Sequence, residues 1–269
     1  MNLLTQTTRR DPEVSPAGPT TTGDLPEEVR EANARLVDKH AAALHDAPAH
    51  TILAWAREHA PGAIAVTLSM ENTVLAELAA WHLPEADLLF LDTGYHFPET
   101  LDVAAAVDAR YPQTLVTARP TLTRKEQDAT YGANLYRNNP TACCRMRKVE
   151  PLAVHLTPYA GWVTGLRRAD GPTRANAPAL SLDATGRLKI SPLVTWSLED
   201  TERVIDERHL ISHPLTRQGY PSIGCATCTL PVADGEDPRA GRPTFCEDPT
   251  RTRWTAPRRR WRPRAAAGG

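Results

Sequence analysis

Ala63-Ile64-Ala65-Val66-Thr67-Leu68-Ser69-Met70-Glu71-Asn72 is the stretch whose reading decides the fold. Residues 63–69 form a short apolar run of the kind that makes a buried strand. The run breaks at Met70-Glu71-Asn72, and a helix is predicted over 73–82. A second strand is predicted over 87–91, ending in Asp92-Thr93-Gly94, with a helix after it over 98–110. Strand, helix, strand, helix at this spacing predicts a parallel sheet with right-handed crossovers. The expected fold class is therefore α/β, a mostly parallel central sheet flanked by helices. Ligands of such sheets lie at the carboxyl ends of the strands. Ser69, Asp92, Thr93 and Gly94 stand at those ends.

On the N-terminal side, helices are predicted over 26–45 and 49–59. On the C-terminal side, residues 118–142 are polar and expected to be mobile. A helix is expected to begin near Cys144 and to carry Arg147 and Lys148. Residues 161–165 read as a strand, followed by a loop with Arg167, Arg168 and Arg174. Three arginines at a strand end suit a polyanion. A short strand is expected over 188–191, and Ser197 with Asp200 caps a helix running to about residue 208.

The chain has 269 residues and a formal net charge of -1. It is long enough for a sizeable core, and its overall charge points to neither nucleic acid nor an anionic membrane. No apolar run is long enough to span a bilayer. Residues 1–24 contain no signal-peptide core and read as a disordered lead. Residues 25–250 read as one α/β domain, and 251–269 as an atypical Arg-rich tail, also expected to be disordered. A cytoplasmic location is expected, which keeps thiols reduced.

Four of the five cysteines fall in two pairs, Cys143-Cys144 and Cys225-Ala226-Thr227-Cys228. Paired cysteines in a reduced compartment point to metal. Four thiolates suit tetrahedral zinc or an iron–sulfur cubane. Neighbours on a helix diverge by about 100°, so adjacent cysteines reach two irons of a cubane more readily than one zinc. This tilts the choice towards [4Fe–4S]. Arg145, Arg147 and Lys148 follow the first pair and would balance the charge of such a cluster.

Several motifs in order carry a resemblance. They are Ser69-Met70-Glu71-Asn72; Leu91-Asp92-Thr93-Gly94-Tyr95-His96-Phe97-Pro98-Glu99-Thr100; Cys143-Cys144-x-x-Arg147-Lys148-Val149-Glu150-Pro151-Leu152; Trp162-Val163-Thr164-Gly165-Leu166-Arg167-Arg168; Gln218-Gly219-Tyr220-Pro221-Ser222-Ile223-Gly224-Cys225-x-x-Cys228; and Gly235-Glu236-Asp237-x-Arg239-Ala240-Gly241-Arg242. Over about residues 50–250 the chain resembles the cluster-bearing assimilatory adenylyl-sulfate reductases. More widely it resembles the phosphoadenylyl-sulfate reductase group, which implies the fold of the adenine nucleotide alpha hydrolases.

The resemblance implies reduction of adenosine 5′-phosphosulfate to sulfite and AMP through an enzyme S-sulfocysteine. It implies thioredoxin, or glutaredoxin with glutathione, as reductant, and is compatible with a homo-oligomer. No membrane or nucleic-acid partner is expected. It implies a [4Fe–4S] cluster on Cys143, Cys144, Cys225 and Cys228. Substrate contacts are implied for Ser69, Asp92, Thr93, Gly94, Lys148, Gly165, Arg167, Arg168, Arg239 and Arg242, with Lys148 also in the catalytic set.

The pattern breaks at the C-terminus. The family nucleophile sits in a Glu-Cys-Gly motif that this chain lacks, and Trp254 stands about where that cysteine should be. The Arg/Pro/Ala/Gly composition beyond it suits GC-rich DNA read out of frame. Cys246 is the one cysteine outside the two pairs and the one candidate replacement nucleophile. Reduced or lost activity is the expectation. Two other functions compete. One is a non-catalytic protein that binds nucleotide sulfates. The other is an ATP pyrophosphatase-type tRNA thiolase, which would need a glycine-rich loop where this chain has Met70 and Glu71.

Overall fold

A computed structural model describes residues 25–233 and 235–242. The lead, the Arg-rich tail, Cys246 and Trp254 lie outside the described residues. Six strands form one sheet: β1 (Ile64–Leu68), β2 (Asp87–Leu91), β3 (Leu115–Ala118), β4 (Gly161–Thr164), β5 (Leu180–Leu182) and β6 (Leu188–Ile190). Their order is β3-β2-β1-β4-β6-β5. All neighbours pair in parallel except β5 with β6. The expected mostly parallel α/β architecture is the one observed.

The helices are α1 (Glu27–Leu44), α2 (Ala49–His59), α3 (Val74–His82), α4 (Pro98–Arg110), α5 (Arg124–Tyr131), α6 (Leu135–Asn138), α7 (Pro140–Cys144), α8 (Glu150–His155) and α9 (Leu198–Glu207). β1 is central because four of its five residues are buried. Only an apolar strand survives burial on both faces of a parallel sheet. Ile52 and Leu53 of α2, Val74 and Ala79 of α3, and Val66 and Leu88 of the sheet share one core. Asn33 of α1 donates Nδ2–H to the carbonyls of Ala160 and Gly186, each at 2.9 Å. These bonds pin the first helix across the β4 and β6 side of the sheet.

Residues 118–142, read in the sequence only as a polar stretch, carry α5, α6 and most of α7. Thr123 and Glu126 form a capping box, with Glu126 N donating to Thr123 Oγ1 at 3.2 Å and Thr123 N donating to Glu126 Oε2 at 2.7 Å. The helix around the cysteines is corrected. It begins at Pro140 rather than near Cys144, because Asn139 Oδ1 accepts from Ala142 N at 3.0 Å and Pro140 suits the first turn. Cys143 and Cys144 therefore end a helix. Residues Arg145–Val149 widen into a π-type turn in which Glu150 N donates to Arg145 O. Such turns occur often at functional sites. β3 and β5 escaped the sequence reading because they are the two short edge strands, only partly buried, and lack the apolar run of an inner strand.

Candidate active site

The strand order reverses beside β1: β2 lies on one side and β4 on the other. A crevice at the carboxyl ends of the strands is expected at such a reversal. A cleft of about 530 Å³ lies there, bordered by Ser69, Thr93, Thr164, Gly165 and Arg167. The loop after β1 is shaped by Met70, which is fully buried and takes a left-handed conformation with φ of 61°. A non-glycine residue holds that conformation at a cost of about 1–2 kcal/mol, and the surroundings fix it. Glu71 O accepts from His213 N at 2.9 Å, and Thr73 N donates to Ile211 O at 3.0 Å. Asn72 Oδ1 then caps Val74 N at 3.1 Å.

Charge dominates the cleft wall. Lys148, Arg167, Arg174, Lys189, Arg239 and Arg242 face two carboxylates, Glu71 and Asp170. Such an excess of cations suits an anion. Arg167 is held on three sides. Its Nε donates to Asp170 Oδ1 at 2.8 Å, its Nη1 to Thr201 Oγ1 at 2.8 Å, and its Nη2 lies 3.8 Å from Glu71 Oε1. Glu71 also accepts from Ile223 N at 3.4 Å. Burial pushes the Glu71 carboxyl above the ordinary range, opposed mainly by the Arg167 charge. Arg174 Nη1 donates to Asp170 Oδ2 at 3.0 Å. Arg239 Nη1 reaches Ser222 Oγ at 3.4 Å, and Arg242 Nη1 donates to Thr229 Oγ1 at 2.9 Å.

Beside the cleft, all four paired cysteines line one small pocket with Tyr95 and Arg147. Lys148 and Arg242 line both this pocket and the cleft. Thr93 Oγ1 accepts from Tyr95 N at 3.2 Å and also lies 3.2 Å from Cys225 Sγ, a contact in which either the hydroxyl or the thiol can donate. Arg147 is buried, donates to Thr93 O at 3.1 Å, and lies over the Tyr95 ring at 5.0 Å. Burial and the neighbouring Cys225 and Cys228 push the Cys143 thiol up to about 11. A metal bound there must displace that proton. Four soft thiol donors on one pocket, walled by cations, suit a thiolate-ligated centre of net negative charge. Among the described residues, no group of three His, Cys, Asp or Glu side chains is placed to hold a metal ion.

Of the residues singled out in the sequence, Ser69, Thr93, Lys148, Gly165, Arg167, Arg239 and Arg242 border the cleft. Arg168 does not. It turns towards the N-terminal helices, where its Nη2 donates to His45 O at 2.8 Å and its Nη1 pairs with Asp46 at 2.6 Å. Asp92 and Gly94 border a separate surface depression beside Arg119 and Arg124. Asp92 Oδ1 is taken up by Gly94 N at 2.9 Å, and its Oδ2 lies 3.4 Å from Arg119. Arg145 follows Cys144 but does not line the cysteine pocket; it pairs with Glu150 at 2.7 Å. The sequence reading left His96 and Asp170 out of the site. The Asp170-x-x-x-Arg174 spacing was the available signal for the second.

The fold and the paired pockets define an α/β protein with a cation-lined cleft next to a four-thiol pocket. The phosphoadenosine phosphosulfate reductase domain matches residues 63–231. The adenosine 5′-phosphosulfate reductase of Mycolicibacterium smegmatis is 48% identical over 208 residues, covering 77% of this chain and 88% of that protein. The enzyme of that name from Streptomyces coelicolor is 46% identical over 208 residues, with the same two coverages of 77% and 88%. The crystal structure of phosphoadenylyl-sulfate (PAPS) reductase from Candida auris, a phosphate complex, matches with a TM-score of 0.61 at 25% identity. It covers 77% of this chain and 98% of its own. The chain belongs to the phosphoadenosine phosphosulfate reductase family.

Proposed function

We propose that the protein reduces adenosine 5′-phosphosulfate to sulfite and AMP with thiols as the source of electrons, a step of sulfate assimilation in the cytoplasm. The observation that carries this reading is the junction of the two pockets: Lys148 and Arg242 face the four cysteines on one side and the cleft on the other. The nucleotide end of the substrate lies against the strand ends near Ser69, Thr93 and Gly165. The phosphosulfate end meets Lys148, Arg167, Arg239 and Arg242. Cations fixed there stabilise the charge that gathers on the departing phosphate. Arg167 needs no rearrangement, since Asp170, Thr201 and Glu71 already set its plane.

Cys143, Cys144, Cys225 and Cys228 are the residues that would hold a [4Fe–4S] cluster. When bound, its charge would orient the neighbouring cations and polarise the sulfate end. With those four assigned, Cys246 is the remaining cysteine. Its thiolate attacks the sulfur, the bond from sulfur to the bridging oxygen breaks, and AMP leaves with that electron pair. A thiol of thioredoxin or glutaredoxin then attacks the cysteine sulfur, releasing sulfite and forming a mixed disulfide. A second thiol resolves that disulfide. Turnover is expected to be slow, because the Glu-Cys-Gly motif of the family is absent and Trp254 stands in its place.

Incubation with adenosine 5′-phosphosulfate labelled in sulfur tests the reading. A labelled adduct on the wild-type chain that is absent from Cys246→Ser supports it. An adduct that persists in Cys246→Ser overturns the role of Cys246. Tight binding of AMP with no adduct on either chain leaves a non-catalytic binder of nucleotide sulfates. No binding at all overturns the nucleotide site itself.

A further inference from the structure

We infer that Lys189 is a further ligand-binding residue of the cleft. Its ammonium group pairs with a phosphate of the nucleotide. The inference rests on the reading above, that a nucleotide occupies this cleft.

Lys189 is the middle residue of β6, an inner strand between β4 and β5. Its neighbours Leu188 and Ile190 are buried in the main core. Side chains alternate along a strand, so Lys189 stands on the opposite face of the sheet. It pairs in register with Trp162 of β4, which pairs in turn with Ala65 of β1. On that face Ala65, Leu89 and Leu156 pack together, with Trp162 partly buried against them. Lys189 comes next beyond Trp162, is half-buried, and lines the cleft with it. Its Nζ lies 5.4 Å from the centroid of the Trp162 ring. The ring is itself fixed, since Trp162 Nε1 donates to Asp183 Oδ2 at 2.9 Å. The ammonium therefore rests on a residue of the cleft wall.

Among the described residues, Lys189 makes no hydrogen bond or ion pair, and its one partner is the indole ring. The Asp183 carboxylate that holds Trp162 is taken up by Thr185 N at 2.8 Å and Arg187 N at 3.1 Å. The cleft carboxylates Glu71 and Asp170 go to Arg167 and Arg174. Each arginine of the cleft bonds an oxygen of the protein, whereas Lys189 does not. A half-buried charge on an inner strand, where an apolar side chain would pack without desolvation cost, calls for a partner. A ring face is a weaker one than a charge-assisted hydrogen bond to a phosphate oxygen. A phosphate entering the cleft therefore draws the ammonium off the indole. A nucleotide carries such oxygens at its 5′ position and, when phosphorylated on the ribose, at its 3′ position as well. Unlike Lys148, Lys189 does not line the cysteine pocket, so it is not part of the junction between the two.

The test is calorimetric titration of the full chain with adenosine, AMP and adenosine 3′,5′-bisphosphate, on wild type, Lys189→Met and Lys189→Arg. Lys189→Met keeps an unbranched apolar stem and removes the charge. It should weaken a phosphorylated ligand about tenfold or more, the worth of a hydrogen bond to a charged group, and leave adenosine unchanged. Equal losses for AMP and the bisphosphate identify the 5′-phosphate as the partner; a loss confined to the bisphosphate identifies the 3′-phosphate. Lys189→Arg, which keeps the charge, should bind that ligand more tightly than Lys189→Met does. Acetylation of the wild-type chain, read by mass spectrometry, needs no variant. Lys189 should be acetylated more slowly with saturating bisphosphate than with adenosine. Equal labelling under the two ligands overturns the proposal, even if both variants fail to fold. So does a folded Lys189→Met that binds all three ligands as wild type does, or that loses adenosine as much as AMP. A wild-type chain that binds none of the three refutes the nucleotide reading of the cleft, and Lys189 with it.

Discussion

Replacing Gly224 with alanine should disable Arg242 without disturbing the fold. Gly224 precedes the second cysteine pair and borders the cleft. A Cβ at this position would overlap the guanidinium carbon and both terminal nitrogens of Arg242. Gly224 is not among the residues with positive φ, so its backbone accepts alanine. What gives way is the far end of a long side chain, which swings off the Thr229 hydroxyl it reaches at 2.9 Å. The cleft then loses one of its six cations. A hydrogen bond to a charged group contributes about 1.5–3 kcal/mol, so AMP affinity should fall roughly 10- to 100-fold. The melting temperature should move little, because no apolar area is exposed. Arg242→Ala should show the same loss, and the double variant should be no worse than either single one, since both remove one interaction. Calorimetric titration with AMP across the four proteins reads this directly. Wild-type affinity in Gly224→Ala, or additive losses in the double variant, would refute the packing argument.

Three further outcomes are expected. Arg167→Ala should weaken AMP at least tenfold, whereas Arg168→Ala should leave affinity unchanged. Arg168 spends its bonds on Ala177 O, His45 O and Asp46, so its removal should lower stability in urea unfolding through the two lost carbonyl contacts, the pair with the 72% exposed Asp46 adding little. Anaerobically purified protein should carry about four iron and four sulfide per chain, and Cys225→Ser should lose both together with the visible absorbance. Zinc with no iron would show the cluster assignment to be wrong. Stability should fall as pH drops below about 6.5, the ordinary imidazole value. His213 is fully buried, Leu215 N donates to its Nδ1 at 3.2 Å, and its Nε2 pairs with Thr100 Oγ1 at 3.0 Å. Burial lowers its pKa in the folded chain. Above about 6.5 both folded and unfolded chains hold the ring neutral and the stability is fully present. Below it the unfolded chain takes the proton first, and stability drains away towards the lower folded value. Urea unfolding at two pH values should show this slope for wild type and a flatter one for His213→Gln.

Local chemistry made much of this protein legible from its residues alone. The apolar run at 63–69 and the Pro98 start of α4 are written in nearest-neighbour preferences, and they define a parallel α/β sheet. The two cysteine pairs and their order among the motifs mark one family. Short signals were harder to read. The Thr123–Glu126 box and the Asn139-Pro140 start are local too, but a polar surround hid them. β3 and β5 are short, partly buried edge strands with no apolar run, and pairing with the inner strands makes them part of the sheet.

Adjacent arginines show what one dimension cannot hold. Arg167 and Arg168 are neighbours of identical chemistry, yet one faces the cleft and the other the N-terminal helices. Asp170 and Thr201 fix the first, and His45 and Asp46 claim the second. The sequence by itself determined the fold class, the family and the supply of thiols and cations. Only the tertiary structure decided that Lys148 and Arg242 stand between two pockets and that Asp92 turns away. Those facts depend on partners distant in the chain, and their distances exist only once the sheet has closed the loops together.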